Sequence, residues 1–311
     1  MSLDQEQFYA AHRDSQLRIP NRCAFLCLLA AFLATAPLLM AGQSAEADES
    51  ITPKETIKLF NGKDLSGFYS WLVDSHREDP QRVFSVVDQV DGAPAIRISG
   101  QFLGGLTTSN SYSNYRLVAE FRWGLLTWGN RSKATKDSGA LLHCQGRDGA
   151  YFAKDFNGPW MRSYEFQIIE GGTGDILVLG SYEPDGSVTK YHLTATVTKD
   201  RDGEPCWDAH GQTKVFETGR VNWWGRDPDW EDKLGYRGRQ DVESPGGEWT
   251  RIEAVCAGDT LEYFVNGKLV NKATGLDHTS GKLIFQSEGA EIFFRRIELH
   301  PLNSNPPAPA K

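Results

Sequence analysis

One strand-like segment, residues 163–170, concentrates polar side chains that could do acid/base chemistry. Because side chains alternate along a strand, Glu165 and Gln167 share one face, and the apolar residues between them point the other way. A β-bulge at residues 168–169 would return Glu170 to the face of Glu165. Paired carboxylates suit glycosidic cleavage, in which one moves a proton and the other stabilises or attacks the sugar carbon. The alternative is an ordinary sandwich strand whose alternate polar residues only contact water.

A second segment, residues 138–145, places His143 and Gln145 on one face by the same alternation. His143 is therefore expected to face Glu165, where a histidine could act as a general acid or base. A divalent metal held by His143 and Glu165 or Glu170 is a further interpretation, which the spacing leaves open. The alternative is a structural or surface histidine.

Short strands separated by turns must position these residues. No segment has sustained helical periodicity, and Asn266-Gly267 is a strong hairpin signal. The sequence therefore predicts an all-β domain, a two-sheet jelly-roll sandwich. Runs rich in β-branched and aromatic residues predict strands at residues 83–90, 95–99, 115–123, 139–144, 164–169, 176–179, 191–197, 249–256, 260–265, 268–270, 282–286 and 291–299.

Two long polar segments, residues 124–137 and 200–248, interrupt the strand pattern. The second holds Trp223 and Trp224, and ordered loops of this length are usually functional, so both tryptophans are candidates for sugar binding. The alternative is a loop that packs its own tryptophans. The predicted organisation is a short leader at 48–56, one sandwich domain at 57–302 and a mobile Pro/Ala tail at 303–311.

The amino-terminal segment, residues 1–47, has the pattern of a signal peptide. Arginines precede an apolar run at residues 23–41, and Ala45-Glu46-Ala47 is a plausible cleavage site. A retained membrane anchor is the alternative. The domain is therefore expected to be exported to the periplasm or the extracellular space, with no membrane contact after cleavage. A net charge of -8 without a long Lys/Arg run argues against a nucleic-acid partner.

Three cysteines, Cys144, Cys206 and Cys256, follow the predicted cleavage site. An exported protein can form disulfides, so one bond is expected, with Cys206–Cys256 favoured among three pairings. The odd number leaves one thiol free.

Short motifs spread in order over residues 57–302 carry a family resemblance. They lie at residues 59–67, 115–122, 137–139, 164–168, 247–249, 265–267, 281–286 and 293–297. Together they resemble the 3-keto-disaccharide hydrolase family, also described as 3-keto-alpha-glucoside 1,2-lyases and 3-keto-2-hydroxyglucal hydratases. The resemblance implies a concanavalin-like lectin/glucanase sandwich.

The resemblance also implies a small carbohydrate substrate, a 3-keto-glucoside whose ketone is made by a partner sugar 3-dehydrogenase. The ketone acidifies the C2 proton, so a base can remove it while the C1 aglycone leaves, and water then adds. This step needs no redox cofactor. Glu165 or His143 is the implied base, Gln167 would bind a hydroxyl or the ketone, and Gln286 and Arg295 would polarise or position it.

Four positions depart from the family pattern. His143 stands where many members carry Arg, Asp137 replaces Asn, Glu288 stands where His is common, and Arg296 replaces Asn. The segment between Gln145 and Arg162 is also longer than the pattern.

Two rival functions fit the same fold. Glu165-x-Gln167-x-x-Glu170 is similar to the Glu-x-Asp-x-x-Glu signature of family 16 glycoside hydrolases, with an amide in place of the central carboxylate. A neutral amide cannot tune the flanking carboxylates as an ionised Asp can, which argues against a retaining glucanase. The other rival is a non-catalytic carbohydrate-binding module that would use Trp223 or Trp224.

Overall fold

A computed structural model describes residues 49–303. The predicted signal peptide at 1–47 and tail residues 304–311 lie outside the described part. In chain order the strands are β1 (Ile57–Lys58), β2 (Phe68–Leu72), β3 (Phe84–Val90), β4 (Ala93–Ile98), β5 (Gly104–Thr108), β6 (Tyr112–Ser113), β7 (Tyr115–Thr127), β8 (Asp137–Gln145), β9 (Arg162–Ile169), β10 (Ile176–Leu179), β11 (Ser181–Tyr182), β12 (Val188–Thr189), β13 (Leu193–Lys199), β14 (Pro205–Trp207), β15 (Gln212–Phe216), β16 (Gly219–Val221), β17 (Thr250–Ala257), β18 (Thr260–Val265), β19 (Lys268–Ala273), β20 (Ser280–Ser287) and β21 (Ala290–Pro301).

Two large antiparallel sheets form the sandwich, and two smaller sheets lie beside them. The front sheet has the order β16-β10-β9-β8-β20-β5-β2, with β6 against β20. The back sheet has the order β19-β18-β17-β7-β21-β4-β3, with β1 against β21. The small sheets are β11-β12 and β14-β13-β15. Strands distant in sequence are neighbours in both large sheets, and the all-β jelly-roll sandwich of concanavalin-like type is confirmed.

The core lies between the two large sheets and is rich in aromatic rings. Phe166 of β9 stacks on Tyr263 of β18 with ring centroids 4.0 Å apart. Phe285 of β20 meets Phe294 of β21 edge-on at 5.1 Å. Burying a side chain of this size contributes roughly 1.5–3 kcal/mol, so these cross-sheet pairs fix how the sheets face each other.

The hairpin predicted at Asn266-Gly267 is confirmed. It joins β18 to β19, and both residues have the positive φ, 48° and 77°, that a type I′ turn requires. The Asn266 side chain also accepts a hydrogen bond from the Arg251 backbone N–H at 3.0 Å. The turn is therefore tied to β17.

Each predicted strand has an observed counterpart, and the sequence missed several others. Strand β5 begins with Gly104-Gly105, which have no side chains to give an alternating pattern. The prediction of one long polar loop at 200–248 is wrong in its first half, because β14, β15 and β16 occupy much of residues 205–221. The loop predicted at 124–137 shortens similarly, since β7 continues to Thr127 and a 3₁₀ helix spans Gly129–Ser132.

The predicted disulfide is wrong, because all three cysteines of the described part are free and buried. Cys256 lies in the back sheet directly across from Tyr115. Cys206 lies in β14, in the separate three-stranded sheet. The two thiols therefore belong to different layers. Within residues 49–303 no helix is both long and apolar enough to cross a bilayer.

Candidate functional site

Strand β9 presents two polar side chains on the outer face of the front sheet. Glu165 and Gln167 point away from the core, whereas Tyr164, Phe166 and Ile168 belong to it. The alternation predicted for this strand is confirmed. Glu165 and Gln167 are each only 3% exposed, so other parts of the chain must cover this face of the sheet.

Gly139 of β8 lets side chains from the two neighbouring strands meet. It pairs with Gln167 of β9 and lies between β9 and β20. A Cβ at this position would stand 2.2 Å from Gln286 Oε1 and 2.7 Å from Glu165 Oε1. The absent side chain therefore allows the Glu165 carboxylate and the Gln286 amide to converge above β8.

We expect Gly139→Ala to disturb the site more than the fold. The contacts that an added methyl would violate are with the mobile ends of two side chains, which can move aside. A displacement of about 1 Å at a catalytic group can lower turnover about 100-fold. Turnover and thermal unfolding should be compared with Gly246→Ala, whose Cβ would meet nothing within 4 Å. Equal turnover in the two variants would contradict this placement.

The Gln286 amide is the least satisfied polar group of this face. Its side chain is fully buried, and neither Oε1 nor Nε2 has a partner with good hydrogen-bond geometry within residues 49–303, although the amide lies close enough to the Glu165 carboxyl group to lower its pKa. A buried amide without partners costs about 1–3 kcal/mol per unsatisfied group. The amide offers one donor and one acceptor side by side, which would suit a ligand with adjacent carbonyl and hydroxyl groups.

Asp137 holds the second amide of the site. Gln167 Nε2 donates to Asp137 Oδ1 at 2.7 Å. The other carboxylate oxygen of Asp137 forms an ion pair with Arg131, which the 3₁₀ helix supplies. This chain of contacts connects the segment before β8 to the face of β9 and fixes the orientation of Gln167.

Glu165 is tuned to exchange protons near neutral pH. Burial, together with the charge of Asp137, raises the pKa of Glu165 to about 8, while Arg220 and Gln286 lower it. Arg220 comes from β16, two strands away across the sheet. A carboxyl group with a pKa near the working pH can both accept and return a proton.

Glu288 lies two residues after Gln286, just beyond the end of β20. It is 8% exposed. Burial and the charges of Asp137 and Glu165 raise its pKa well above the ordinary range, against the opposing influence of Arg131 and Arg220. From sequence alone, Glu288 stands out only as a departure from the family pattern. Its two-residue spacing from Gln286 was the signal that could have placed it in the site.

The segment 146–161, which we call the roof, covers this part of the front sheet. Trp160 Nε1 donates to the carbonyl of Gly104 at 2.8 Å, and Trp71 Nε1 of β2 donates to that of Gly158 at 2.9 Å. Trp160 lies over Gly105, the cross-strand partner of Gln286. The charges of Glu165 and Glu288 reach Tyr151 and, after burial, raise its pKa. The roof thus covers the β5 side of the site and brings Tyr151 close to both glutamates.

The expectation that His143 faces Glu165 is wrong. Strand β8 has a register irregularity between Leu142 and Gln145, and His143 has a positive φ of 53°. Its ring consequently packs edge-on against Tyr115 and Tyr164 in the core. Burial lowers the pKa of His143 to about 4, and Nδ1 lies 3.0 Å from the carbonyl oxygen of His278. His143 is a neutral core residue.

The interpretation of a metal shared by His143 and Glu165 fails for the same geometric reason, because the two side chains lie on opposite faces of the sheet. In the part of the chain that the structure describes, no group of three His, Cys, Asp or Glu residues is arranged to hold a metal ion.

Glu170 does not join Glu165, and the bulge expected at residues 168–169 is absent. Ile168 and Ile169 pair regularly with Ser138 and Asp137 of β8. The Glu170 carboxylate instead accepts backbone N–H groups of Lys136 at 3.0 Å and Gly235 at 2.7 Å. It fastens two connecting segments together, so the carboxylate pair predicted for Glu165 and Glu170 is wrong.

Arg295 is also remote from Glu165. It lies on the back sheet opposite Glu120 of β7, and its Nε donates to that carboxylate at 2.7 Å. Its guanidinium group stands 4.1 Å from the centroid of the Trp249 ring. The predicted substrate-binding role is therefore wrong, and Arg295 braces the outer side of the back sheet.

Trp223 and Trp224 lie beside β19 at the edge of the sandwich. Trp223 is a core residue, 1% exposed. Trp224 is 43% exposed, and its Nε1 donates to the carbonyl of Leu269 at 2.9 Å. The structure brings neither ring to Glu165, so these residues do not line the cluster of carboxylates and amides.

Solved structures of carbohydrate-related proteins are similar to this chain at low identity. A predicted glycosyl hydrolase from Parabacteroides distasonis is 18% identical, with a TM-score of 0.43, over 80% of this chain and 94% of that one. The carbohydrate-binding module CBM66 from Bacillus subtilis is 10% identical, with a TM-score of 0.37, over 75% and 94%. A Bacillus licheniformis beta-glucanase is 10% identical, with a TM-score of 0.29, over 77% and 98%. A comparison with curated proteins gives no match.

A family comparison covers most of the chain. Residues 55–300 match the 3-keto-alpha-glucoside-1,2-lyase-like domain. The match includes nearly all of both large sheets. It also includes the carboxylates and amides of the site, which are Asp137, Glu165, Gln167, Gln286 and Glu288. The chain therefore belongs to the 3-keto-alpha-glucoside-1,2-lyase-like family.

Proposed function

We propose that this protein cleaves 3-keto-glucosides by removing the C2 proton, eliminating the C1 aglycone and then hydrating the unsaturated sugar. The observation that carries the proposal is the unpartnered Gln286 amide beside the buried Glu165 carboxylate. Membership of the 3-keto-alpha-glucoside-1,2-lyase-like family supports the choice of substrate.

Glu165 is the proposed base. A ketone at C3 acidifies the C2 proton, because the electrons left behind delocalise onto the ketone oxygen. Gln286 Nε2 is positioned to donate a hydrogen bond to that oxygen as its negative charge grows. Gln286 Oε1 would accept from an adjacent hydroxyl, and Gln167, held by Asp137, would orient another part of the sugar ring. The protein supplies a base and fixed dipoles, and the proposed step transfers no electrons to a redox cofactor.

The glucanase alternative is disfavoured by the position of Glu170. In the glucanase motif, the two flanking carboxyl groups that a retaining glycosidase needs would be those of Glu165 and Glu170. Glu170 is engaged by the backbone N–H groups of Lys136 and Gly235, and Gln167 replaces the central carboxylate of the glucanase motif. We therefore expect no hydrolysis of unoxidised β-glucan.

The test is release of the aglycone from 3-keto-glucosides by the purified protein. Both anomers should be supplied, with the corresponding unoxidised glucosides and β-glucan in parallel. The proposal expects release from a 3-keto substrate, exchange of its C2 proton with deuterated solvent, and no release from the unoxidised controls. Sugar binding without any release would instead indicate a carbohydrate-binding module, and release from β-glucan would indicate a glucanase.

The cellular setting proposed for this activity follows from the substrate. An oxidoreductase of the sugar 3-dehydrogenase class must supply the ketone, and the amino-terminal pattern favours export. Fractionation of cells that produce the full chain tests the second point. Recovery of the protein only from the cytosol would contradict export.

A further inference from the structure

A second carboxyl group stands in the site and is not used by the proposed proton abstraction. Glu288 follows Gln286 by two residues, the spacing that puts successive outward side chains on one face of a strand. Ser287, between them, points elsewhere and donates from Oγ to the carbonyl of Phe102 at 2.6 Å. Although Glu288 lies just beyond the end of β20, its carboxyl group is close enough to Glu165, Asp137 and Tyr151 for their charges to act on one another, which places it on the face that carries Glu165.

The surroundings of Glu288 combine burial with the absence of a direct partner. No residue of the described part forms a hydrogen bond or ion pair with its carboxyl group. Glu165, Asp137, Arg131, Arg220 and Tyr151 are the titratable groups whose charges it senses or affects. Arg131 is held by Asp137, and Arg220 by Asp175. Neither arginine is therefore directed at Glu288.

The unsatisfied amide of Gln286 is an independent indication that this place can take a ligand. Both of its polar atoms lack partners although the side chain is completely buried. A sugar whose ketone lies against Gln286 and whose C2 faces Glu165 would extend over one of the two outward positions beside Gln286, and Glu288 is the polar one, since the other is Ile284. An acid at this point would adjoin the C1 substituent.

We propose that Glu288 is the general acid that protonates the departing aglycone oxygen, an inference that rests on the proposed function. The Glu165 carboxylate takes the C2 proton, and the C2 electron pair forms a C1=C2 double bond as the bond between C1 and the aglycone oxygen breaks. The Glu288 carboxylic acid gives its proton to the leaving oxygen. Each of the two groups has then changed its protonation state once, and the products are an alcohol and the unsaturated keto sugar.

The hydration step returns both groups to their starting states. Glu288, now a carboxylate, accepts a proton from the water that adds at C1. Glu165, now protonated, returns its proton to C2. Burial and the neighbouring carboxylates raise the pKa of Glu288, which favours the protonated form that the first step requires. Glu165 and Glu288 therefore need no further proton donor during one complete cycle of elimination and hydration.

Substrates with poor and good leaving groups distinguish a general acid at Glu288 from a structural residue there. Glu288→Gln should lower the release of methanol from methyl 3-keto-glucoside by at least about 100-fold, the usual worth of general acid catalysis. Release of 4-nitrophenolate from the corresponding aryl substrate needs no protonation and should fall by less than about threefold. Exchange of the C2 proton with solvent should persist in Glu288→Gln. Glu217→Gln, at an exposed glutamate that pairs with exposed Lys190, is the control and should release both aglycones as the wild type does.

Three outcomes distinguish a failure of the acid role of Glu288 from a failure of the proposed cleavage of 3-keto-glucosides. Equal losses on the methyl and aryl substrates in Glu288→Gln would overturn the acid role and assign Glu288 to structure. Retained release from the methyl substrate would overturn it as well. Absence of release and of C2 exchange in the wild type would instead overturn the proposed function on which it rests.

Discussion

Glu165→Gln is expected to abolish aglycone release and, at the same time, to make the protein harder to unfold at neutral and alkaline pH. The first effect follows because an amide cannot accept the C2 proton, and turnover should fall by at least about 1,000-fold. The second follows from the cost of a buried charge. Glutamine has nearly the same shape as glutamate, so the variant keeps the packing and removes the ionisation.

The pH dependence of this stabilisation has a definite sign. The pKa of Glu165 is about 8 in the folded protein against a reference value of 4.5, so the folded state binds the proton more tightly than the unfolded state. Wild-type stability should therefore decline as the pH rises through this interval, by on the order of 3–5 kcal/mol in all. In Glu165→Gln, the part of the fall in unfolding free energy that comes from Glu165 should be absent.

Chemical denaturation from about pH 5 to about pH 9 measures the effect, because the unfolding free energy is then compared at each pH. Glu217→Gln is the matched control, since Glu217 is exposed and pairs only with exposed Lys190. It should follow the wild-type curve. If Glu165→Gln also follows that curve, Glu165 does not carry a raised pKa in the folded protein.

Arg226→Met should produce the largest loss of stability among the arginine variants. Arg226 Nη1 donates to Asp175 Oδ2 at 2.7 Å, and Asp175 is completely buried. The other Asp175 oxygen accepts the Trp223 backbone N–H at 2.8 Å. Methionine would leave Asp175 with the longer Arg220 contact of 3.3 Å. Breaking a buried pair in this way costs about 3–5 kcal/mol.

Arg239→Met gives the comparison for an exposed arginine. Arg239 pairs with both Asp227 and Asp229, yet its side chain is 70% exposed, so its removal should cost less than about 1 kcal/mol. Denaturant unfolding of both variants at neutral pH tests the contrast. Similar losses of unfolding free energy in Arg226→Met and Arg239→Met would mean that burial does not decide the strength of these ion pairs.

The arrangement of β9 could be predicted from sequence because it depends on a local period of two. Tyr164 and Phe166 alternate with Glu165 and Gln167, and the structure keeps that order throughout the strand. The hairpin at Asn266-Gly267 is equally local. Most strands of both large sheets followed from such patterns, whereas β1, β2, β5, β6 and β16 did not.

The predictions from sequence were wrong where the alternation of side chains along a strand was interrupted, or where a residue contacts a segment that is distant in sequence. The backbone of β8 turns His143 into the core through a positive φ, which no residue type in that strand announces. Glu170 is captured by the backbone of Gly235, 65 residues later in the chain. The roof is the irregular connection between β8 and β9, and no local period predicts that its Tyr151 comes close to Glu165. Pairing and covering of this kind are decided by tertiary structure, so the sequence did not reveal them.

The three buried thiols have a practical consequence for producing the protein. Because Cys144, Cys206 and Cys256 are all free, residues 49–303 contain no covalent cross-link that must form during folding. Buried thiols react slowly with oxidants and alkylating reagents. Recombinant material can therefore be made in a reducing host without disulfide-forming catalysts, and assays can include a reductant without loosening the sandwich.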